Sequence, residues 1–169
     1  MKIHFKITRV LLHRVQIDLE RPHPFTAERV GFISCKVAAF QPNGILILAQ
    51  ALHSVEDDDY LRNSHVGAMM GPSAIRKALQ VAYREPLAMF HVHMHNHYGE
   101  PWFSRTDLSE ASNFVPDFWH VRPDLPHGAI VLSCDSMAGL CWLPGLQKPV
   151  RISEVSVVGA PMQFIRGNV

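Results

Sequence analysis

Residues 91–107 read His-Val-His-Met-His-Asn-His-Tyr-Gly-Glu-Pro-Trp-Phe-Ser-Arg-Thr-Asp. Four histidines, His91, His93, His95 and His97, fall at every second position. A strand sends alternate side chains to one face, so an extended backbone lines all four imidazoles along one side. Asp107 follows ten residues after His97, with Ser104 three residues before it. Neutral imidazoles and a carboxylate form a donor set suited to a divalent transition metal, zinc above all. Two histidines at i and i+2 can chelate one ion from one side of a strand end. An aspartate on the next helical turn adds a third ligand and leaves a fourth tetrahedral position open, as in catalytic zinc sites. Zinc lowers the pKa of coordinated water to about 7. Chemistry there needs a carboxylate base and a donor for the developing oxyanion. Ser104 is the candidate donor, and the base must come from elsewhere in the chain.

Working outward, Leu87-Ala88-Met89-Phe90 is a short apolar strand that runs into the histidines. Before it, Gly71-Pro72-Ser73 reads as a helix start with Ser73 as N-cap. Ile75, Ala78, Leu79, Ala82 and Tyr83 form the apolar stripe of that helix, which ends before Glu85-Pro86. After the histidines, Gly99-Glu100-Pro101 is a break, and Ser104-x-x-Asp107 opens a second helix with Leu108, Ala111 and Phe114 inward. Pro116 kinks or ends it.

Further out, residues 128–134 and 137–143 read as a hairpin across Asp135-Ser136, and 150–159 as a last strand, with Met162 and Phe164 adding little order. On the N-terminal side, 2–19 is strand-like at first and ambiguous later, and Arg21-Pro22-His23-Pro24 is a break. Phe25 to Arg29 leads into a buried strand over 30–40, then a turn at Pro42-Asn43-Gly44 and a strand over 45–49. The polar segment 53–68, with Glu56-Asp57-Asp58-Asp59, reads as a solvated loop. The pattern predicts an α+β fold, an α/β sandwich whose mixed sheet is flanked by two main helices. Residues 1–169 fit one domain.

Hydrophobic content of 47% and charged content of 18% are those of a globular chain. A net charge of +1 gives no footprint for nucleic acid or an anionic membrane. The cysteines, Cys35, Cys134 and Cys141, include no C-x-x-C pair, and Cys35 and Cys134 are expected to be buried thiols. Neither a signal-peptide core nor a run of about 20 apolar residues is evident, so the expected setting is cytoplasmic. No G-x-G-x-x-G or Walker pattern points to nucleotide binding.

His-x-His, a Gly/Pro loop and Ser-x-x-Asp together resemble the JAMM motif of the JAB/MPN-type metallopeptidases, bacterial members in particular. That family places a catalytic glutamate upstream in a pattern like Glu28-Arg29-Val30-Gly31-Phe32-Ile33. The resemblance spans about residues 25–145. It implies a cytidine-deaminase-like, JAB-type fold, with Zn2+ held by His93, His95 and Asp107. It further implies Glu28 as the base and Ser104 as the oxyanion donor. The implied substrate is the C-terminal tail of a ubiquitin-like or sulfur-carrier protein joined to a lysine or another amine. That substrate would be an extended peptide beside the site, as an added strand. Association with a ubiquitin-activating-like enzyme system is implied as well.

Two departures stand out. No proline follows the second histidine. The spacer to Ser104 is eight residues from His95 and six from His97, so each pair misses the motif's usual spacer by one. His93 with His95 is preferred, because a longer loop costs little while a shorter one must still reach the metal. His95 with His97, and His91 with His93, stay open. Glu100 is a rival base or ligand. Trp102 and Phe103 either wall a substrate groove or pack in the core. His53, His65, His120 and His127 are read as ordinary histidines. The competing identities are three: a catalytically silent MPN-type scaffold, a histidine-rich metal buffer, and a cupin-like protein. The last rests on His93-x-His95 with Glu100, but lacks the glycines that frame a cupin box.

Overall fold

The computed structural model describes residues 1–22, 28–40, 43–61 and 68–166, the side chains of Phe40 and Arg166 aside. The elements in chain order are β1 (Lys2–Thr8), α1 (Arg9–Leu19), β2 (Val30–Phe40), β3 (Gly44–Ser54), α2 (Pro72–Arg84), β4 (Ala88–Met94), α3 (Arg105–Phe114), β5 (His127–Leu132), β6 (Met137–Trp142), β7 (Val150–Arg151), β8 (Glu154–Val158) and β9 (Gln163–Arg166). Short 3-10 segments occupy Asp57–Asp59 and Val115–His120.

The nine strands form one sheet in the order β7-β6-β5-β4-β2-β3-β1-β8-β9. Pairing is mixed: β1 runs parallel to β3 and β8, β4 runs parallel to β5, and the remaining pairs are antiparallel. The sheet curls on itself. The segment 150–158 lies first against β6 as β7 and then against β1 as β8. At the crossover Ile152 N–H donates to Gly139 O (2.9 Å) and Ser153 N–H donates to Ile3 O (2.8 Å). Gly139 lies close under the Ile152 side chain at this crossover, where a Cβ would lie 2.5 Å from Ile152 Cδ1.

Inside the curl lies α1. Thr8 caps it, with Oγ1 accepting from Leu11 N–H. Leu11, Val15 and Leu19, at i, i+4 and i+8, are buried among Ile3, Phe5, Phe90, Val92 and Ile152. Each such residue stabilises the fold by roughly 1.5–3 kcal/mol relative to exposure. The outer face carries α2 and α3. Ala74, Ala78 and Ala82 of α2 and Ala111 and Phe114 of α3 pack with Phe32, Met89 and Trp142. The central strands are therefore covered on both faces, as two adjacent apolar strands predict.

Several expectations need correction. Three α-helices, not two, stand among the described residues: 9–19 is α1, and its 11/15/19 spacing outweighs the alternation that suggested a strand. Gly71, not Ser73, is the N-cap of α2, with Pro72 in the first turn. Tyr83 (72%) and Leu108 (39%) are exposed rather than inward. The strand expected over 150–159 breaks at Ile152–Ser153 because its halves serve opposite ends of the sheet. Phe164 lies in β9, paired with Ser156. Cys134 is half-buried, whereas Cys35 and Cys141 are buried.

The acidic run is exposed at Glu56, Asp57 and Asp58, as expected, but its last residue is structural. Asp59 is buried, accepting from Lys77 Nζ (2.6 Å) and Ser73 Oγ (2.7 Å). Burial pushes its pKa up, but those donors prevail and hold it below the usual carboxylate value. The strand expected over 45–49 extends to Gly44–Ser54. His23 to Ala27, Pro42 and His65 lie outside the described residues. Among the described residues no helix is long and apolar enough to cross a membrane.

Candidate metal centre

The two faces of β4 separate its residues: Phe90 and Val92 enter the curl, while His91 and His93 face α3. The ladder continues past the strand's end, with His95 N–H donating to Leu132 O (2.9 Å). This keeps His95 in phase with His93. Ring centroids step 5.7 Å from His91 to His93, 5.0 Å to His95 and 6.0 Å to His97. All four imidazoles thus form one row, as alternation predicts. Beyond His95 the chain folds onto the β5–β6 turn. Cys134 N–H donates to His97 O (2.9 Å), Gly99 N–H to Asp135 Oδ1 (2.8 Å) and Ser133 Oγ to Gly99 O (2.7 Å). Gly99 turns the loop with φ +91°, a conformation glycine adopts without strain.

Asp107 arrives on the first turn of α3. Ser104 is the N-cap, its Oγ accepting from Asp107 N–H (3.1 Å) while its own N–H donates to Asp107 Oδ2 (2.7 Å). The same Oδ2 lies 3.5 Å from His93 Nε2 and 3.9 Å from His95 Nε2. One ligand atom each from His93, His95 and Asp107 lies within 4.8 Å of the others. Of the three histidine pairs left open, this geometry selects His93 with His95. His91 instead packs edge-on to Phe32 and Phe114, and His97 stacks on Trp102 at 4.9 Å.

The donor chemistry fits a metal ion. His93 is 3% exposed, and neither of its ring nitrogens has a hydrogen-bond partner among the described residues. A buried imidazole with both nitrogens unsatisfied is costly unless something else takes up a lone pair. Burial, then the neighbouring His93, lower the pKa of His95, against the pull of Glu28 and Asp107. The ring is therefore neutral at pH 7, as ligation requires. Burial works to raise the Asp107 pKa, but the His93 imidazole and the Ser104 donors win and hold it well below the carboxylate range. Two imidazoles and a carboxylate brought together in this way could hold a metal ion.

Glu28 lies two residues before the start of β2. Val30 of β2 pairs with His93 of β4 in antiparallel register. Continuing that register by two residues sets Glu28 opposite His95 on the same face. Two clamps hold the approach to β2. Val30 N–H donates to Tyr60 Oη (2.9 Å), and Tyr60 O–H donates to Val30 O (3.2 Å). The buried Arg29 donates to Arg21 O (2.8 Å), Pro22 O (2.7 Å) and Asp57 Oδ1 (2.7 Å).

Glu28, His93, His95, Ser104 and Asp107 line one cleft of about 620 Å³. Glu100, Trp102 and Phe103 are not among the residues lining it; Glu100 is exposed on the loop and Phe103 packs edge-on to His93. His127 is buried and structural, its Nδ1 accepting from Met89 N–H (3.0 Å). His53 meets Ser34 Oγ at 2.9 Å and His120 meets Asp117 at 3.8 Å. The sequence reading missed Thr106, Glu110, Asn113 and Asp117, which also line the cleft. Their spacing of four, three and four residues is a helical stripe that begins beside Asp107, and that signal was present in the sequence. No protein-family model matches the chain, and no curated protein matches its sequence.

Proposed function

We propose that this protein is a zinc-dependent peptidase or isopeptidase of the JAB/MPN type, with the cytidine-deaminase-like fold that assignment carries. His93, His95 and Asp107 hold the zinc ion. The observation that supports the reading is the meeting of these three ligands with Glu28 and Ser104 in one cleft, although Glu28 and Asp107 are far apart in sequence. Fold alone does not set function; the chemistry lies in these groups. Bound zinc supplies Lewis acidity, which activates water and polarises a carbonyl.

The chain's own residues do the rest. Glu28 takes a proton from the attacking water on a carboxylate oxygen and returns it to the leaving amine. The Ser104 hydroxyl uses its oxygen to cap α3, which leaves its proton to donate to the developing oxyanion. The substrate on this reading is an amide after the C-terminal tail of a ubiquitin-like or sulfur-carrier protein, with a ubiquitin-activating-like enzyme system as the associated machinery.

A ubiquitin-like fusion tests it. Zinc-loaded protein should cleave the fusion, lose activity to a chelator and regain it with zinc. Glu28→Gln should keep the metal and lose activity by a factor on the order of 10²–10⁴. Full activity in Glu28→Gln would remove the assigned base. Metal-free protein without chelator sensitivity would favour a silent scaffold that binds partners.

A further inference from the structure

The cleft has two unlike walls. Ala68, Met69, Met70 and Ile75 make one of them apolar. The other is α3 and the 3-10 segment after it, which present Glu110, Asn113 and Asp117. With Glu28 and Asp107 the lining holds four carboxylates, and no lysine or arginine is among the described residues that line it. Along this wall Ala111 and Phe118 are buried away from the cleft, Thr106, Glu110, Asn113 and Asp117 line it, and the buried Phe114 forms part of its floor. A second, independent observation marks the same space as a ligand site. His93 lines it, is 3% exposed and has both ring nitrogens without a hydrogen-bond partner among the described residues.

We infer that the cleft selects substrates carrying a lysine or arginine side chain close to the bond acted upon, and that Glu110 and Asp117 determine this preference. The inference rests on the hydrolase reading for the word substrate, but the binding preference does not need it. Bound zinc would offset the charges of Asp107 and Glu28, which leaves Glu110 and Asp117 to meet a cationic side chain, Asp117 having, among the described residues, only the exposed His120 beside it at 3.8 Å. Glu110 is one helical turn from Asp107, a rise of about 4.5 Å, which lies between one and two residues of an extended peptide. A lysine or arginine fits the two walls together. Its aliphatic stem lies along Met69, Met70 and Ile75, and its charged head reaches the carboxylates. An acidic or purely apolar side chain satisfies only one wall.

The test reads binding rather than turnover. The full chain carrying Glu28→Gln is titrated with a fluorescent peptide that contains one lysine, and with the same peptide carrying glutamine or glutamate there. Anisotropy should show the lysine peptide binding about threefold to tenfold tighter than the glutamine one, with glutamate weakest, and the gap should narrow with salt. Glu110→Gln and Asp117→Asn should each reduce the gap by about threefold. Glu110→Lys should reverse the order, with circular dichroism confirming an intact fold. Equal affinity for all three peptides, absence of binding by any of them, or a preference unchanged in Glu110→Lys would overturn the inference. A protein that prefers lysine here but leaves every amide intact when zinc-loaded would contradict the hydrolase reading alone.

Discussion

Ser104 and Asp107 hold each other at the start of α3: Ser104 N–H donates to Asp107 Oδ2 (2.7 Å) and Asp107 N–H donates to Ser104 Oγ (3.1 Å). The oxygen that accepts from Ser104 is the one that faces both His93 and His95. The helix cap and the metal group are thus one construction. The capping box fixes the carboxylate rotamer before any ion arrives, which lowers the ordering cost of binding.

Ser104→Ala separates the two roles. The backbone donor to Asp107 survives, while the cap is lost at about 1 kcal/mol. The melting temperature should fall by roughly 2–4 °C, with metal content unchanged. Activity well below the melting transition should drop by a factor on the order of 10²–10³, the loss expected for one oxyanion donor. A thermal shift without an activity loss would leave Ser104 as a cap only.

His127 gives the fold an acid limit. Its Nδ1 accepts from Met89 N–H, and its Nε2 meets Arg122 O at 3.2 Å, which makes Nε2 the protonated nitrogen. A second proton on Nδ1 would face the Met89 N–H. Burial is the main cause of a pKa lowered to about 4, with Arg122 and Asp124 pulling the other way. Above the unfolded value near 6.5 both states are neutral and the stability is fully present. As pH falls through 6.5 the unfolded chain takes up a proton that the folded chain refuses, so stability declines until about pH 4. The decline should be on the order of 2–3 kcal/mol across that window. Urea unfolding of metal-stripped protein at pH 7 and 4.5 checks it. His127→Gln should show a smaller fall, and an identical fall would assign the acid sensitivity elsewhere.

Gly128 sits where three central strands crowd together. A Cβ there would lie 2.2 Å from Leu140 O and 2.4 Å from Phe90 Cε1. The first of these is backbone of β6, which cannot rotate away. Gly128→Ala should therefore destabilise the protein by about 1–3 kcal/mol or more, read as a lower urea midpoint. A midpoint equal to wild type would show that β5 and β6 separate more easily than their pairing implies.

Much of this was legible locally. The capping box, the alternation of the histidines and the hairpins at β2–β3 and β5–β6 are short-range signals, and each appears where the spacing puts it. What failed depended on distant partners. Asp59 looks solvated by composition because Lys77 and Ser73, which bury it, are 18 and 14 residues away. The strand at 150–159 looks continuous because nothing local reveals that β6 and β1 converge on it. Glu28 was legible only by resemblance. Its place opposite His95 follows from the β2–β4 register, which pairs residues sixty or so positions apart. The stripe from Thr106 to Asp117 is legible in the sequence as polar residues at helical spacing, but spacing alone does not say that this polar face lines a cleft rather than meeting solvent.

The most direct test is the metal-to-protein ratio of single histidine variants after dialysis against a fixed, low zinc concentration. Wild type should hold about one ion per chain. His93→Ala, His95→Ala and Asp107→Ala should each lose it, while His91→Ala and His97→Ala, whose rings pack against Phe114 and Trp102, should keep it. Retention of zinc in His93→Ala together with its loss in His97→Ala would move the ligand pair along the row and contradict the account.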